Sequence, residues 1–276
     1  MIVDIIYNIP TWLLGICILT IIALISLCGL LVMRTIMKKN SIQMDNSIVG
    51  GIGDQATVIF AVVAGFIAIS VWTNFDKASE RVQEEADQAF AIWLDSRIYP
   101  LDFKLKVRNA IEEYLHIVID EEWPKQSQGE SSNAAVQTLE NLNYLLIDYV
   151  PTSASQQAIH NQIILRSNKI FYDRRSRLHI LTLDPAVYYA IICNILVILG
   201  LAWCFAAKNL RSHLIVTTLF SLGIGLVLFL IITFDHPFRG EVSIPPKPFQ
   251  EALQHIQELK LDDPVILKNP NAVFRS

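Results

Sequence analysis

Glu113-Tyr-Leu-His116 puts a carboxylate and an imidazole three residues apart, on one face of a helix. Joined by a second such motif and two further glutamates, that arrangement holds a di-iron centre inside a helical bundle. Glu84, Glu85 and Glu122 can supply carboxylates, but there is no second Glu-x-x-His, so the pair reads as solvated helix charge and no metal site is expected. Asp120-Glu121-Glu122-Trp123-Pro124 crowds three carboxylates at a helix end. Negative charge there opposes the helix macrodipole, so this corner calls for Arg or Lys partners rather than a cation. A second polar motif, Asp235-x-Pro237-Phe238-Arg239-Gly240, offers one. Either Arg239 neutralises Glu121 or Glu122 as a bidentate pair at the membrane edge, or the motifs never meet, and Asp235 and Arg239 are structural in both cases. No Gly-x-Ser-x-Gly, phosphate loop or nucleophile–base pair is visible, and the six histidines are scattered. No catalytic residue and no cofactor is expected, and the chain does not read as an enzyme.

The elements that must position these groups are dominated by four apolar runs. Thr11 to Met33, Ala56 to Phe75, Pro185 to Ala207 and Leu214 to Phe234 contain no Asp, Glu, Lys or Arg and are 23, 20, 23 and 21 residues long. A helix of about 20 apolar residues crosses the hydrocarbon core of a bilayer. Lipid leaves no other way to satisfy the backbone of a single segment. The leader before Thr11 has no Lys or Arg, and the first run is longer than the apolar core of a signal peptide, so it is kept as a span. All four cysteines, Cys17, Cys28, Cys193 and Cys204, lie within the runs, which leaves no disulfide framework and no zinc pattern. The net charge of −4 argues against nucleic acid as a partner. The expectation is an all-α membrane protein: four transmembrane helices, with a helical extramembrane bundle inserted between spans two and three. It divides into a first transmembrane hairpin (1–75), a helical domain (76–184), a second hairpin (185–234) and a C-terminal tail (235–276).

Arg34, Lys38 and Lys39 follow the first span, and Lys208 and Arg211 separate the third from the fourth. Lys and Arg in short loops mark the cytoplasmic side. The rule therefore places the middle domain and both termini outside the cytoplasm of a bacterial inner membrane.

The middle segment shows helical periodicity throughout. Ala78, Val82, Ala86, Phe90 and Trp93 continue the second span to about Arg97, where Pro100 ends the helix. A second helix from Asp102 is expected to stop at Trp123, before Pro124. Ser132 or Asn133 can cap a third, and Ser153 a fourth. In the tail, Pro245, Pro246 and Pro248 impose an extended start. Phe249, Leu253, Ile256 and Leu259 then form an amphipathic stripe, suited to packing on the bundle more than to a membrane surface, because the polar face mixes signs. Within the spans, Ala61, Ala64, Gly65 and Ala68 form a small-residue face that lets helices approach closely. It serves either packing within the chain or an oligomer axis. Asn194, Thr217, Thr218 and Ser221 are candidates for hydrogen bonds between helices.

Phe60-Ala-Val-Val-Ala-Gly-Phe66, Val71-Trp72-x-x-Phe75-x-x-Ala78 and Val82-x-x-Glu85-Ala86, with the Glu121 to Pro124 corner and the Asp235 to Gly240 motif, resemble the bestrophin-like domain family of four-span membrane proteins. The likeness runs from about Ser47 to about Leu253. A more distant similarity to true bestrophins implies a pentameric anion channel with a hydrophobic neck on the second span. If Gly65-Phe66 matches that neck, Val58, Val62 and Phe66 fall at its four-residue spacing, and an apolar ring of this kind gates by dewetting. Asn74-Phe75-Asp76 stands where bestrophins carry Arg-Trp-Trp, the acidic calcium-binding cluster has no clear counterpart, and bestrophins keep their large domain in the cytoplasm. The resemblance thus implies a homo-oligomeric channel or pore for ions. The competing class is a membrane-anchored sensor or assembly module whose helical domain binds a partner.

Overall fold

A computed structural model describes residues 7–41, 44–180, 182–205 and 209–261. Among these the regular structure is helical: α1 (Thr11–Lys39), α2 (Asn46–Asp95), α3 (Leu101–Ile117), α4 (Trp123–Ser127), α5 (Asn133–Ile147), α6 (Ala154–Leu178), α7 (Pro185–Cys204), α8 (Leu210–Phe234) and α9 (Lys247–Leu261). Four helical segments are long and apolar enough to cross a membrane: Thr11–Lys39, Asn46–Ile98, Pro185–Cys204 and Leu210–Phe234. The chain forms two compact units, Met1–Asp76 with Leu181–Ser243, and Lys77–Ile180 with Ile244–Ser276. Helix α2 contributes its first part to one and the remainder to the other.

In the apolar unit, Phe60, Ala64 and Val71 of α2 pack with Ile191, Ile195, Ile198 and Leu199 of α7 and with Ile224 and Ile231 of α8. Helix α1 lies against α7 and α8, and two close approaches there require glycine. A Cβ on Gly225 would stand 2.9 Å from a Leu19 methyl, and one on Gly29 would stand 2.2 Å from the Trp203 ring. In lipid, where apolar contact with solvent costs little, such backbone-level packing is a main source of helix association. Two of the hydroxyls expected to bridge helices instead turn back on their own: Thr218 donates to the Leu214 carbonyl at 2.8 Å and Ser221 to that of Thr218 at 2.9 Å. A carbonyl one turn back is always within reach, so this bond needs no facing partner.

In the polar unit, three seams of heptad spacing meet. Ala78, Val82, Glu85, Ala89, Ile92 and Ser96 are buried along α2 and the 3₁₀ turn Ser96–Ile98 that ends it. Gln156, His160, Ile163, Ser167, Ile170, Arg174 and Arg177 are buried along α6. Alternating steps of four and three keep each seam facing its neighbours. Val107, Ile111, Tyr114 and Val118 complete the centre from α3 and the turn that follows it. Leu139, Leu142 and Leu146 are buried on α5.

The boundaries follow local chemistry. Ser132 accepts from the Ala135 N–H, and Ser153 from that of Gln156, capping α5 and α6. Pro124 does not stop its helix. The chain widens into a π turn over Val118–Glu122, where the Trp123 N–H reaches back five residues to the Val118 carbonyl. Pro124 then falls at the second position of α4, directly after the widened turn. Pro248 is accommodated in the same way at the start of α9. This helix buries Phe249, Leu253 and Ile256, with Phe249 edge-on to Trp123 at 5.6 Å between ring centroids, so the tail helix packs on the bundle.

Candidate functional site

Val58, Val62 and Phe66 lie on one stripe of α2. Helical residues step by about 100°, which sets this stripe about 180° from the buried Phe60, Ala64 and Val71. The three are 62%, 53% and 71% exposed, so the chain itself leaves this face uncovered. The small residues split between the two sides. Ala64 is buried against the core and Ala68 partly so, whereas Ala61 is exposed and nothing comes within 4 Å of a Cβ built on Gly65.

Elsewhere in the same unit, Asp235 ends α8 with its side chain 4% exposed as a residue. Oδ1 accepts from the Leu183 N–H at 2.7 Å, just before α7, and Oδ2 from the Tyr188 hydroxyl at 2.8 Å. His236 Nδ1 stands 3.1 Å from Oδ2. Burial pushes the Asp235 carboxyl up, but His236 and these two donors outweigh it and hold it below the ordinary range. The motif therefore ties the end of one apolar helix to the start of another. Gly240 turns the chain with φ of +83°, a conformation that side chains resist, and Arg239 lines a small cleft beside it with Tyr7, Thr11 and Glu241. The Glu241 carboxylate accepts from the Thr11 N–H at 2.9 Å, placing negative charge at the N-terminus of α1.

The polar unit holds a buried charge centre. Arg177 is 1% exposed, and Glu85 and Glu122 are inaccessible. Arg177 donates from Nε to Glu85 at 2.8 Å, and from Nη2 to Glu85 at 3.0 Å and Glu122 at 2.7 Å. Its Nη1 donates to the Gln126 side chain. Arg174 forks onto the other side of Glu122 and reaches the Ser132 carbonyl at 3.0 Å. The buried Tyr114 hydroxyl donates to Glu85 at 2.5 Å. Trp123 and Phe249 close over the Arg177 guanidinium at 5.1 and 5.7 Å. Two carboxylates thus meet two guanidiniums with no net charge, every headgroup hydrogen-bonded, which a dry interior demands. Burial works against the Arg177 charge, but Glu85 and Glu122 outweigh it and raise its pKa above the ordinary value. Burial likewise raises Glu122, and Arg177 and Arg174 bring it below its ordinary value. The Tyr114 phenol is driven well up, by burial first and then by the Glu85 charge.

The sequence-derived candidates fall as follows. Glu122 is the centre of this cluster, while Glu121 faces outward to Lys125 at 2.6 Å and the Ser132 hydroxyl at 2.8 Å. Glu85 and Glu122, considered as metal ligands, converge on arginines instead. Glu84 pairs with Arg81 and Lys169, at 2.7 and 2.9 Å. Glu113 and His116 are exposed, with His116 3.8 Å from Asp120. Among the described residues no group of His, Cys, Asp or Glu is placed to hold a metal ion. Sequence reasoning missed Arg174 and Arg177 as partners. The available signal was their register, since they prolong the seam of Ile163, Ser167 and Ile170.

The fold is shared with solved proteins. A crystal structure of a point variant of a bacterial bestrophin homologue from Klebsiella pneumoniae superposes with a TM-score of 0.67 at 11% identity, over 89% of this chain and 98% of that one. A second variant of a bestrophin homologue from that organism gives 0.62 at 12% identity, over 86% and 97%. A crystallised membrane protein variant gives 0.66 at 11% identity, over 88% and 97%. No curated protein matches the sequence. The Bestrophin-like domain model matches residues 20–249. The chain is an integral membrane protein and belongs to the Bestrophin-like domain family.

Proposed function

We propose that this protein is a homo-oligomeric ion channel whose second span lines the pore, with Val58, Val62 and Phe66 as an apolar neck. The observation that carries this reading is the placement of those three side chains. They form one stripe, turned away from the chain's own core and left 53% to 71% exposed. Around an oligomer axis, such a stripe makes stacked apolar rings, and rings of this kind gate by dewetting. Ala61 and Gly65 beside it leave room for a neighbouring helix. Family membership and the shared fold support the same reading, and anions are the permeant class implied by the likeness to bestrophins. The test is conductance of the purified chain in planar bilayers. Phe66→Ala is expected to raise the current several-fold, because a smaller side chain widens and wets the neck. A monomer in detergent, or wild-type and Phe66→Ala chains that are both silent, would remove the pore.

A membrane-anchored assembly module is the second reading. It draws on Tyr144, Ile147 and Val150 of the polar unit, which are 66%, 62% and 79% exposed. The silent monomer just described is its expected behaviour.

Orientation rests on charge. Arg34, Lys38 and Lys39 close α1 and Arg211 opens α8, while Lys208 lies outside the described residues. The short-loop rule puts these ends in the cytoplasm, and the polar unit and termini on the other side of a bacterial inner membrane. Fusions at the C-terminus are then expected to give active alkaline phosphatase and non-fluorescent green fluorescent protein. The reverse pattern would overturn this orientation.

A further inference from the structure

The polar unit carries a cleft beside the buried charge centre, lined by basic residues. Ser131, Tyr172, Arg174, Arg175 and His179 line it, and it is an open cleft of about 520 Å³. That volume is in the roughly 300–1,000 Å³ range of small-molecule sites. No Asp or Glu lines it. Arg174 is 7% exposed, with its guanidinium fixed by Glu122 and the Ser132 carbonyl, so one wall is rigid. The charges of Arg174 and Arg177 balance Glu85 and Glu122, which leaves the Arg175 guanidinium as the surplus charge, with the His179 imidazole beside it as a further hydrogen-bonding group. Among the described residues Arg175 has no carboxylate partner. One effect opposes an anion here, because the C-terminal turn of α6 presents partial negative charge. It is weak, about 0.3–1 kcal/mol for an exposed charge, and the Arg177 carbonyl is already occupied by Gln126 Nε2 at 3.3 Å. Charge-assisted bonds from Arg to a phosphate are about twice as strong as neutral ones, so the Arg175 guanidinium prevails. Phe171, Tyr172 and Leu178 add an apolar side that a bare inorganic ion would leave wet.

We propose that this cleft binds a phosphorylated organic molecule, with Arg175 and His179 holding the phosphate and Phe171, Tyr172 and Leu178 packing its carbon body. The site lies wholly in the polar unit and goes beyond the channel reading. It stands or falls separately from conductance. The chemistry is shared by a soluble phosphomonoester and by an anionic lipid headgroup, and two arms distinguish them. Full-length protein in detergent is titrated with glycerol 3-phosphate by calorimetry. In parallel, retention of phosphatidylglycerol, against phosphatidylcholine, is measured by native mass spectrometry. The expected result is saturable binding in one arm, weakened at least about tenfold by Arg175→Glu and by His179→Ala. Tenfold is the loss produced by one contact of about 1.4 kcal/mol. Arg175→Lys, which keeps the charge without the fork, should retain part of the affinity. Binding of glycerol 3-phosphate would identify a soluble ligand, and selective phosphatidylglycerol retention a lipid. Arg175 is exposed, so these variants should keep the wild-type far-ultraviolet dichroism. Absence of binding in both arms, or binding that Arg175→Glu and His179→Ala leave unchanged, would overturn the site.

Discussion

Replacing Arg177 with methionine should cost the polar unit about 3–5 kcal/mol, the loss typical of removing one member of a buried ion pair. Methionine replaces the aliphatic stem and keeps its apolar packing. What is lost is charge. Arg177 alone contacts both Glu85 and Glu122, and both carboxylates are inaccessible to water. Without it, among the described residues, Glu85 keeps the Tyr114 hydroxyl alone, and Glu122 must rely on Arg174 and the Ser132 N–H. A second replacement, Glu85→Gln in the Arg177→Met background, removes the stranded charge and should recover a good part of the loss. Lys247→Ala provides the contrast. Its pair with Glu251 is 70% and 48% exposed, and surface pairs contribute only about 0–1 kcal/mol. The measurement is thermal or denaturant unfolding in detergent, with amide exchange on α6 and on α2 beyond Asp76. An Arg177→Met chain within about 1 kcal/mol of wild type would show that the centre is far wetter than its geometry implies.

The spans and the bundle were legible because their signals are redundant. A run of 20 or more uncharged residues has one solution in lipid, and the Ser132 and Ser153 caps sit where periodicity resumes. Two local readings went astray for definable reasons. Pro124 marks a helix end only if the ladder keeps its i to i+4 register, and the π turn at Val118–Glu122 gives that register up. Thr218 and Ser221 pair with carbonyls of their own helix, which no sequence pattern separates from pairing across helices.

The charge centre was half legible. The crowded carboxylates at Glu121 and Glu122 announced a need for cations, and the partners proved to be Arg174 and Arg177 for one and Lys125 for the other. Arg174 and Arg177 fall close to the third span in sequence, in the run Asp173-Arg-Arg-Ser-Arg177. Composition makes a helix rich in Arg look solvated, yet counting sevens from Ile163 and Ile170 reaches Arg177, and Arg174 follows Ile170 by four. A charge at a core position of a heptad seam is the better guide to a buried pair than distance along the chain. The neck candidates lie at the other extreme. An apolar span has no polar face to break its symmetry, so only the family likeness singled out Val58, Val62 and Phe66.

Glu122 also sets how the polar unit responds to acid. Its carboxyl is held below the ordinary value in the folded chain, since the pull of Arg177 and Arg174 exceeds the push of burial. A depressed folded pKa means that the unfolded chain binds the proton first. The stabilisation is therefore complete above the unfolded pKa of about 4.3, and is lost progressively as pH falls from there through the folded value. Glu122→Gln tests this with its own slope. At pH 7 the variant leaves Arg177 with Glu85 alone and Arg174 with no carboxylate among the described residues, and should lose about 3–5 kcal/mol. As pH drops below about 4, wild type gives up the same interaction, so the gap between the two melting curves should narrow. The phenol of Tyr114 provides the opposite edge. Its pKa is raised, so its contribution is whole below about 10 and declines as pH climbs beyond that. Unfolding followed by near-ultraviolet dichroism from pH 3 to pH 8, on both chains, reads the acid edge directly. A gap that stayed constant down to pH 3 would mean that Glu122 does not titrate with unfolding and that its loss acts through packing alone.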